Sequence, residues 1–136
     1  MRVVLDTNVF LSALISPTGP PAAIYEAWKH SRFELYTCLE QLDELARVTR
    51  SPGIRPFITP SEAGRMLNQV RGLATVVERL PRLDVSTDPA DNFLFALIDV
   101  VSADFLITGD KSGVLRIGKR GKTRIVRAAE FASLLG

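Results

Sequence analysis

The segment VVLDTN at residues 3–8 indicates the fold of the chain. Three apolar residues predict a short buried strand, and an acidic residue follows them without an intervening turn. A similar pattern, FLITGD, returns at residues 105–110. Short apolar strands that alternate with helices are typical of a parallel sheet covered on both faces. In such sheets ligands bind beyond the carboxyl ends of the strands, where these acidic residues stand.

The spacing of apolar residues predicts strands and helices in alternation along the whole chain. Thr59-Pro60-Ser61-Glu62 matches a capping box and marks one helix start clearly. Neither a repeat nor a linker divides the sequence, so we predict a single domain over residues 1–136 with three α/β/α layers and a central parallel sheet. The predicted strands cover 3–5, 33–37, 75–79, 105–108 and 124–126, and the predicted helices cover 8–15, 21–29, 39–48, 60–73, 88–101 and 128–135.

Composition excludes several classes of protein. With 136 residues, of which 46% are hydrophobic and 24% charged, the chain has the profile of one ordinary globular domain. No apolar run approaches the ~18 residues of a membrane span, and Asp6 interrupts the place where a secretion signal would be apolar. A single cysteine and a single histidine exclude an internal disulfide and a zinc site rich in these residues. We therefore expect a cytoplasmic protein.

Positive charge is concentrated in one segment. Residues 111–127 hold seven of the 17 basic residues and no acidic residue, whereas the rest of the chain has ten bases against 15 acids. A basic segment beside an acidic body favours a polyanionic partner, although a solvated loop without a partner has the same composition. The segment has no aromatic residue, so it predicts contacts to phosphates and not stacking on bases.

Four acidic residues are candidates for one site. Asp6 and Asp110 follow predicted strands, Asp91 lies in the first turn of a predicted helix, and Glu44 lies within another helix. The predicted topology can bring all four to one edge of the sheet. Carboxylates crowded together repel one another unless a cation lies between them. Oxygen ligands without nearby histidine or cysteine favour Mg²⁺ or Mn²⁺.

Each acidic residue also has a purely structural interpretation. Asp6 could cap the first helix, and Asp91 could occupy the third position of a helix whose cap is Asp88. Glu44 could be a surface residue, and Asp110 could belong to a turn. The case for a site therefore depends on the four together.

Four motifs in order resemble those of the PIN domain family: DTNV at 6–9, CLEQLDEL at 38–45, DPADN at 88–92 and ADFLITGDK at 103–111. The nearest subgroup resembles bacterial toxins of toxin–antitoxin pairs, relatives of the VapC toxins. The resemblance implies a metal-dependent endoribonuclease in which Asp6, Glu44, Asp91 and Asp110 bind one or two Mg²⁺ or Mn²⁺ ions and serve in catalysis. It also implies an antitoxin partner and a homodimer, for which the face around residues 54–73 is a possible contact surface.

Supporting roles follow for two further groups of residues. The resemblance implies that Thr7, Asn8 and Thr108 hold the carboxylates and water in place. The basic segment would contact RNA phosphates through Lys111, Arg116, Lys119, Arg120 and Lys122.

Two other functions remain open. One is a non-catalytic PIN-fold module that binds RNA or protein. The other is a receiver-like or phosphatase-like α/β domain, although Asn8 stands where a phosphoaspartate phosphatase would have a second aspartate.

Overall fold

A computed structural model of the protein describes residues 1–85, 89–109 and 112–136. Its elements, in chain order, are β1 (Arg2–Leu5), α1 (Thr7–Ile15), α2 (Pro20–Lys29), β2 (Glu34–Cys38), α3 (Leu39–Thr49), α4 (Pro60–Leu73), β3 (Thr75–Val77), a 3₁₀ turn (Pro89–Asp91), α5 (Asn92–Val101), β4 (Phe105–Thr108), α6 (Ser112–Leu115), β5 (Lys119–Arg120), β6 (Thr123–Arg127) and α7 (Ala128–Leu135).

The strands form one sheet in the order β3-β2-β1-β4-β6-β5. All neighbouring pairs are parallel except β5 with β6, which are antiparallel. The prediction of a parallel sheet is therefore wrong at one edge, where β5 was missed. A two-residue strand carries little periodicity, and the hairpin depends on a tight turn in which Gly121 adopts φ +57°.

Both faces of the sheet are covered, as the three-layer prediction requires. Successive residues of β1 alternate between two hydrophobic cores, with Val3 and Leu5 in one and Val4 in the other. The first core takes apolar residues from α1, α2, α3, α4 and α7. The second core takes them from α5 and α6. The sheet is therefore the middle layer of an α/β/α domain.

Local signals explain most element boundaries. The Thr59–Glu62 capping box is formed in both directions, and α4 begins and ends where the sequence predicts. The helix predicted from Asp88 begins instead at Asn92, after the 3₁₀ turn, and Asp88 lies outside the described residues. β3 ends at Val77, two residues before the predicted end. Among the described residues, no helix is long and apolar enough to cross a membrane.

The topology brings several helix N-termini to the carboxyl edge of the sheet. α1 and α3 begin directly after β1 and β2 end. α5 ends at Val101, just before β4 begins at Phe105, and it packs on the sheet beside β1. A helix that returns to the start of a strand begins near that strand's far end. The N-terminus of α5 therefore lies at the same edge as the end of β4.

Candidate active site at the carboxyl edge of the sheet

Asp6 is the first candidate residue, and the structure buries it at the end of β1 with 1% of its surface exposed. Its backbone N–H donates to the Ile107 carbonyl at 2.8 Å, and its Oδ2 accepts a hydrogen bond from Thr108 Oγ1 at 2.9 Å. Asp6 occupies the N-cap position of α1, but its side chain makes no capping hydrogen bond. The capping interpretation of Asp6 is therefore wrong, because the carboxylate is directed to β4.

Asp91 is a second buried carboxylate, with 6% of its surface exposed. It occupies the N-cap position of α5, and its side chain also makes no capping hydrogen bond. The N-terminus of a helix carries a partial positive charge that favours a nearby carboxylate. Asp6 and Asp91 each lie at such a terminus and at the same edge of the sheet. This placement offsets part of the penalty for burying two acidic side chains.

The other two predicted ligands are Glu44 and Asp110, and the structure describes only the first of them. Glu44 is half-buried on α3, whereas Glu40 and Asp43 on the same helix are exposed. Glu44 lies five residues into α3, roughly 8 Å along the axis from the edge of the sheet. Asp110 lies outside the described residues. Within residues 1–85, 89–109 and 112–136, no three His, Cys, Asp or Glu side chains form a group that could hold a metal ion.

Oxygen atoms available at this edge nevertheless suit a hard cation. Asp6 and Asp91 supply buried carboxylates, and Thr108 supplies a buried hydroxyl. Thr7 Oγ1 is buried and has no hydrogen-bond partner among the described residues. A buried hydroxyl is costly to leave unpaired, so this atom indicates a missing polar group. Asn8, the third residue of the motif, is exposed. The donor set fits Mg²⁺ or Mn²⁺ in chemistry.

Sequence reasoning missed two polar residues behind the site, Thr37 and Gln41, which are both fully buried. Thr37 Oγ1 donates to Gln41 Oε1 at 2.6 Å, and Gln41 Nε2 donates to the Leu5 carbonyl at 2.5 Å. The available signal was a glutamine among the apolar positions of an amphipathic helix.

Cys38, between these residues, is buried, and burial raises the pKa of its thiol to about 12. This agrees with a structural role, because a thiol with such a pKa stays protonated at neutral pH.

Four bases of the basic segment lie at the opposite, amino edge of the sheet: Lys119, Arg120, Lys122 and Arg124. Lys119 and Arg120 are paired with Arg124 and Thr123, and Arg124 lies beside Phe105 at the start of β4. The β5–β6 hairpin is therefore at the amino edge of the sheet, roughly 10 Å along β4 from Thr108. Arg120 Nη2 contacts Asp99 Oδ2 at 2.8 Å. Further along the chain, Lys122 Nζ lies 3.2 Å from Asp104 Oδ1.

Three other basic residues complete this segment: Lys111, Arg116 and Arg127. Arg116 is exposed, as is Lys119, and Lys111 lies outside the described residues. Arg127 is an exposed base at the carboxyl edge, since it pairs in register with Thr108. Sequence reasoning counted Arg127 in the basic segment without placing it near the acidic residues.

The fold and the site together define a class of protein: an α/β/α domain with buried acidic residues at the carboxyl edge of its sheet. A family model described as PIN domain matches residues 2–112. Uncharacterized protein MJ1680 of Methanocaldococcus jannaschii is 30% identical over 112 residues, which cover 82% of this chain and 72% of that protein. The solved PIN domain of human SMG5 matches in fold, with a TM-score of 0.53, 17% identity, and coverage of 98% of this chain and 99% of the other.

The chain belongs to the PIN domain family. PIN domains are generally nucleases and generally use divalent metal ions. The family assignment confirms the fold expected from the four motifs and supports hydrolase chemistry at a coarse level.

Proposed function

We propose that the protein is a metal-dependent endoribonuclease that hydrolyses RNA phosphodiester bonds. The observation that carries the proposal is the pair of buried carboxylates, Asp6 and Asp91, at helix N-termini on one edge of a PIN fold. Neither side chain makes a capping hydrogen bond, so helix capping does not account for their burial. The runner-up, a non-catalytic module, would leave these buried acids without a role.

Asp6 and Asp91 would hold Mg²⁺ or Mn²⁺, together with Glu44 and with Asp110, which lies outside the described residues. When bound, such an ion lowers the pKa of water and neutralises charge that develops on a phosphate oxygen. Thr108 donates a hydrogen bond to Asp6 Oδ2 and so helps to fix the orientation of the carboxylate. The unpartnered hydroxyl of Thr7 is suited to orient a water molecule beside Asp6.

RNA binding requires positive charge, because an acidic edge repels phosphates. Arg127, at the carboxyl edge, would contact phosphates near the site. Phosphates further along a structured RNA would be contacted by Arg116, Lys119, Arg120 and Lys122. Lys111, which lies outside the described residues, would also contact RNA. Arg120 and Lys122 already have acidic partners, so Lys119 would contribute the larger share within the hairpin.

The biological role that we propose is that of a toxin controlled by an antitoxin protein. This proposal rests on the resemblance of the four motifs to bacterial toxins. A homodimer is also proposed. The region from 54 to 73 supports such contacts, because Phe57 and Leu73 are 62% and 68% exposed. Large apolar side chains with this exposure often belong to interaction surfaces.

Cleavage of a labelled structured RNA by purified protein tests the nuclease. Wild type, Asp6→Asn and Asp43→Asn would be compared in Mg²⁺, Mn²⁺ or EDTA. Asp6→Asn should lose at least about a hundredfold in rate, which corresponds to the several kcal/mol that a metal site supplies. Its fold should persist, because an asparagine oxygen can still accept the Thr108 hydrogen bond. Asp43→Asn makes the same chemical change at an exposed position and should cleave like wild type.

Direct binding of Mn²⁺, followed by electron paramagnetic resonance, separates the possible failures. Wild type should bind the ion, and Asp6→Asn should bind it at least about tenfold more weakly. Full cleavage by Asp6→Asn would remove the metal-site assignment. If wild type neither cleaves RNA nor binds Mn²⁺, the non-catalytic module becomes the better description. Covalent labelling of Asp6 by beryllofluoride would instead favour a receiver-like or phosphatase-like domain.

A further inference from the structure

Gln41 connects three elements behind the candidate site. Its side chain leaves α3, accepts from the Thr37 hydroxyl on β2 and donates to the Leu5 carbonyl on β1. Leu5 directly precedes Asp6, so Gln41 bonds the peptide unit that joins β1 to the candidate ligand. The exposed fraction of Gln41 is 0%, which makes any unpaired polar atom of its amide costly.

The hydrogen-bond partners fix the orientation of the Gln41 amide. A backbone carbonyl can only accept, so the Gln41 atom that faces the Leu5 oxygen must be the Nε2 donor. Oε1 then faces Thr37, whose hydroxyl donates to it. A threonine hydroxyl can donate or accept, so the Leu5 carbonyl sets the orientation of the amide, and Thr37 supports it by donating to Oε1. Reversal of the amide would place two oxygen atoms against each other.

The sheet explains why a side chain is needed at this place. The β1–β2 ladder pairs residues only as far as Val4 with Tyr36, whereas β1 continues to pair with β4 at Leu5. Beyond that point β2 still pairs with β3 as far as Cys38, and α3 follows directly. A buried carbonyl must find a donor, and Gln41 supplies one where the strand no longer does. The end of β1 is thereby held on both sides, by Gln41 on one and by β4 on the other.

We propose that Gln41 is a positioning residue, supported by a hydrogen bond from Thr37, that fixes the end of β1 so that Asp6 presents its carboxylate to the metal and substrate. The proposal rests on the proposed nuclease function for its catalytic consequence. Its structural part, the restraint of Asp6 through Leu5, stands independently. Mutation of a residue that orients a metal ligand typically lowers metal affinity or activity by 10- to 100-fold.

The test compares Gln41→Met, Thr37→Val and Gln69→Met. Methionine has nearly the shape of glutamine without its hydrogen bonds, and valine has the shape of threonine without its hydroxyl. Gln69→Met is the matched control, because Gln69 is half-buried on α4 and accepts from the Tyr25 hydroxyl at 2.6 Å. Thr37→Val also provides the test if Gln41→Met fails to fold.

We expect Gln41→Met to lower kcat for RNA cleavage about tenfold and to weaken Mn²⁺ binding about tenfold, with KM for RNA unchanged. Thr37→Val should produce a smaller change in the same direction. Gln69→Met should change neither quantity, although its stability to urea can fall as much. A merely structural role for Gln41 would lower stability and leave kcat and Mn²⁺ affinity at the wild-type values, which would overturn the proposal.

Amide hydrogen exchange distinguishes failure of this proposal from failure of the proposed function. The Asp6 amide, bonded to Ile107, should exchange about tenfold faster in Gln41→Met or Thr37→Val than in Gln69→Met. Faster exchange in a protein whose wild type neither cleaves RNA nor binds Mn²⁺ would retain the restraint and reject the nuclease. Unchanged exchange at Asp6 would reject the restraint whatever the activity.

Discussion

The two edges of the sheet treat charge in opposite ways. At the carboxyl edge, Asp6 and Asp91 are buried, and Asp6 is held by the hydroxyl of Thr108. At the amino edge, the bases of the β5–β6 hairpin are more exposed, and Arg120 and Lys122 contact acidic side chains. Burial of a charged carboxylate is costly, and a hydroxyl partner offsets only part of that cost. Exposed ion pairs contribute little to stability. We therefore assign the functional site to the carboxyl edge.

The spacing of charged residues in the sequence does not show which of them lie at the same edge of the sheet. The bases form one run in the sequence, yet the structure disperses them between the hairpin and Arg127. The acids are far apart in the sequence, yet Asp6 and Asp91 arrive at one edge because helices return to the starts of strands. Proximity to a site must be judged from strand direction and not from charge runs.

Replacing Thr108 by valine should have the largest effect of the tests that probe this contrast. The change removes the donor to Asp6 Oδ2 and keeps the shape of the side chain. We expect Mn²⁺ affinity and cleavage to fall 10- to 100-fold, as for other residues that orient metal ligands. The free energy of unfolding should fall by about 1 to 3 kcal/mol, because a buried carboxylate loses a hydrogen bond.

The matched control for that change is Thr123→Val. Thr123 is also a buried strand threonine, and its hydroxyl donates to the Ala103 carbonyl at 2.6 Å, at the amino edge. It should lower stability by a similar amount and leave Mn²⁺ affinity unchanged. Equal loss of metal affinity in both variants would mean that the two edges do not differ in function.

Neutralising single bases of the hairpin should have an intermediate effect, on RNA binding alone. Lys119→Gln removes an exposed charge that forms no ion pair within the described residues. Its RNA affinity should fall about three- to fivefold, and the slope of log affinity against log salt should decrease by about 0.7 to 0.9. Arg120→Gln should change the slope less, because Asp99 already neutralises Arg120.

Binding titrations at several salt concentrations measure both slopes. Identical slopes for wild type and Lys119→Gln would show that the hairpin does not contact RNA. A larger change for Arg120→Gln than for Lys119→Gln would show that RNA displaces Asp99 from Arg120.

The smallest effect should come from Asp104, at the amino edge. Its carboxylate accepts the Arg2 backbone N–H at 2.8 Å and lies near Lys122, and these contacts lower its pKa from 3.8. A carboxyl with a lowered pKa in the folded protein stabilises the fold above its unfolded pKa. That contribution is lost as the pH falls from 3.8 through the folded pKa.

Asp104→Asn should therefore lower stability at pH 7 by a small amount, about 1 kcal/mol or less for so exposed a group. Its stability should also depend less on pH between 5 and 2 than that of wild type. Urea unfolding across this range is the measurement. An unchanged pH profile in the variant would remove Asp104 as a contributor to acid sensitivity.

Much of the fold could be predicted from the sequence because its signals are local. The capping box at Thr59 and the apolar strand at Phe105–Thr108 specify their elements directly. β5 could not be predicted, because two basic residues become a strand only through pairing with β6. The start of α5 at Asn92 also differs from expectation, because a proline at 89 suits the first turn of an α-helix or of a 3₁₀ turn equally.

The candidate site was accessible to prediction in part. Asp6 could be found because an acid directly after a buried strand is unusual, and the motif order supported Asp91. The roles of Thr37 and Gln41 could not be found, because a threonine and a glutamine in sequence do not show that the pairing of β1 with β2 stops at Val4, one residue before Leu5. The Leu5 carbonyl is seen to require a side-chain donor only when the register of β1, β2 and α3 is known.

Burial of Cys38 gives the chain an internal probe of its own motions. Its thiol belongs to the core shared with α5, at the junction of β2 and α3, and burial keeps its pKa near 12. A reagent in solvent can reach the sulfur only while that junction is open. Since the sequence holds one cysteine, the rate of thiol modification reports how often the β2–α3 junction opens. This junction lies directly beside Thr37 and Gln41, which support Asp6.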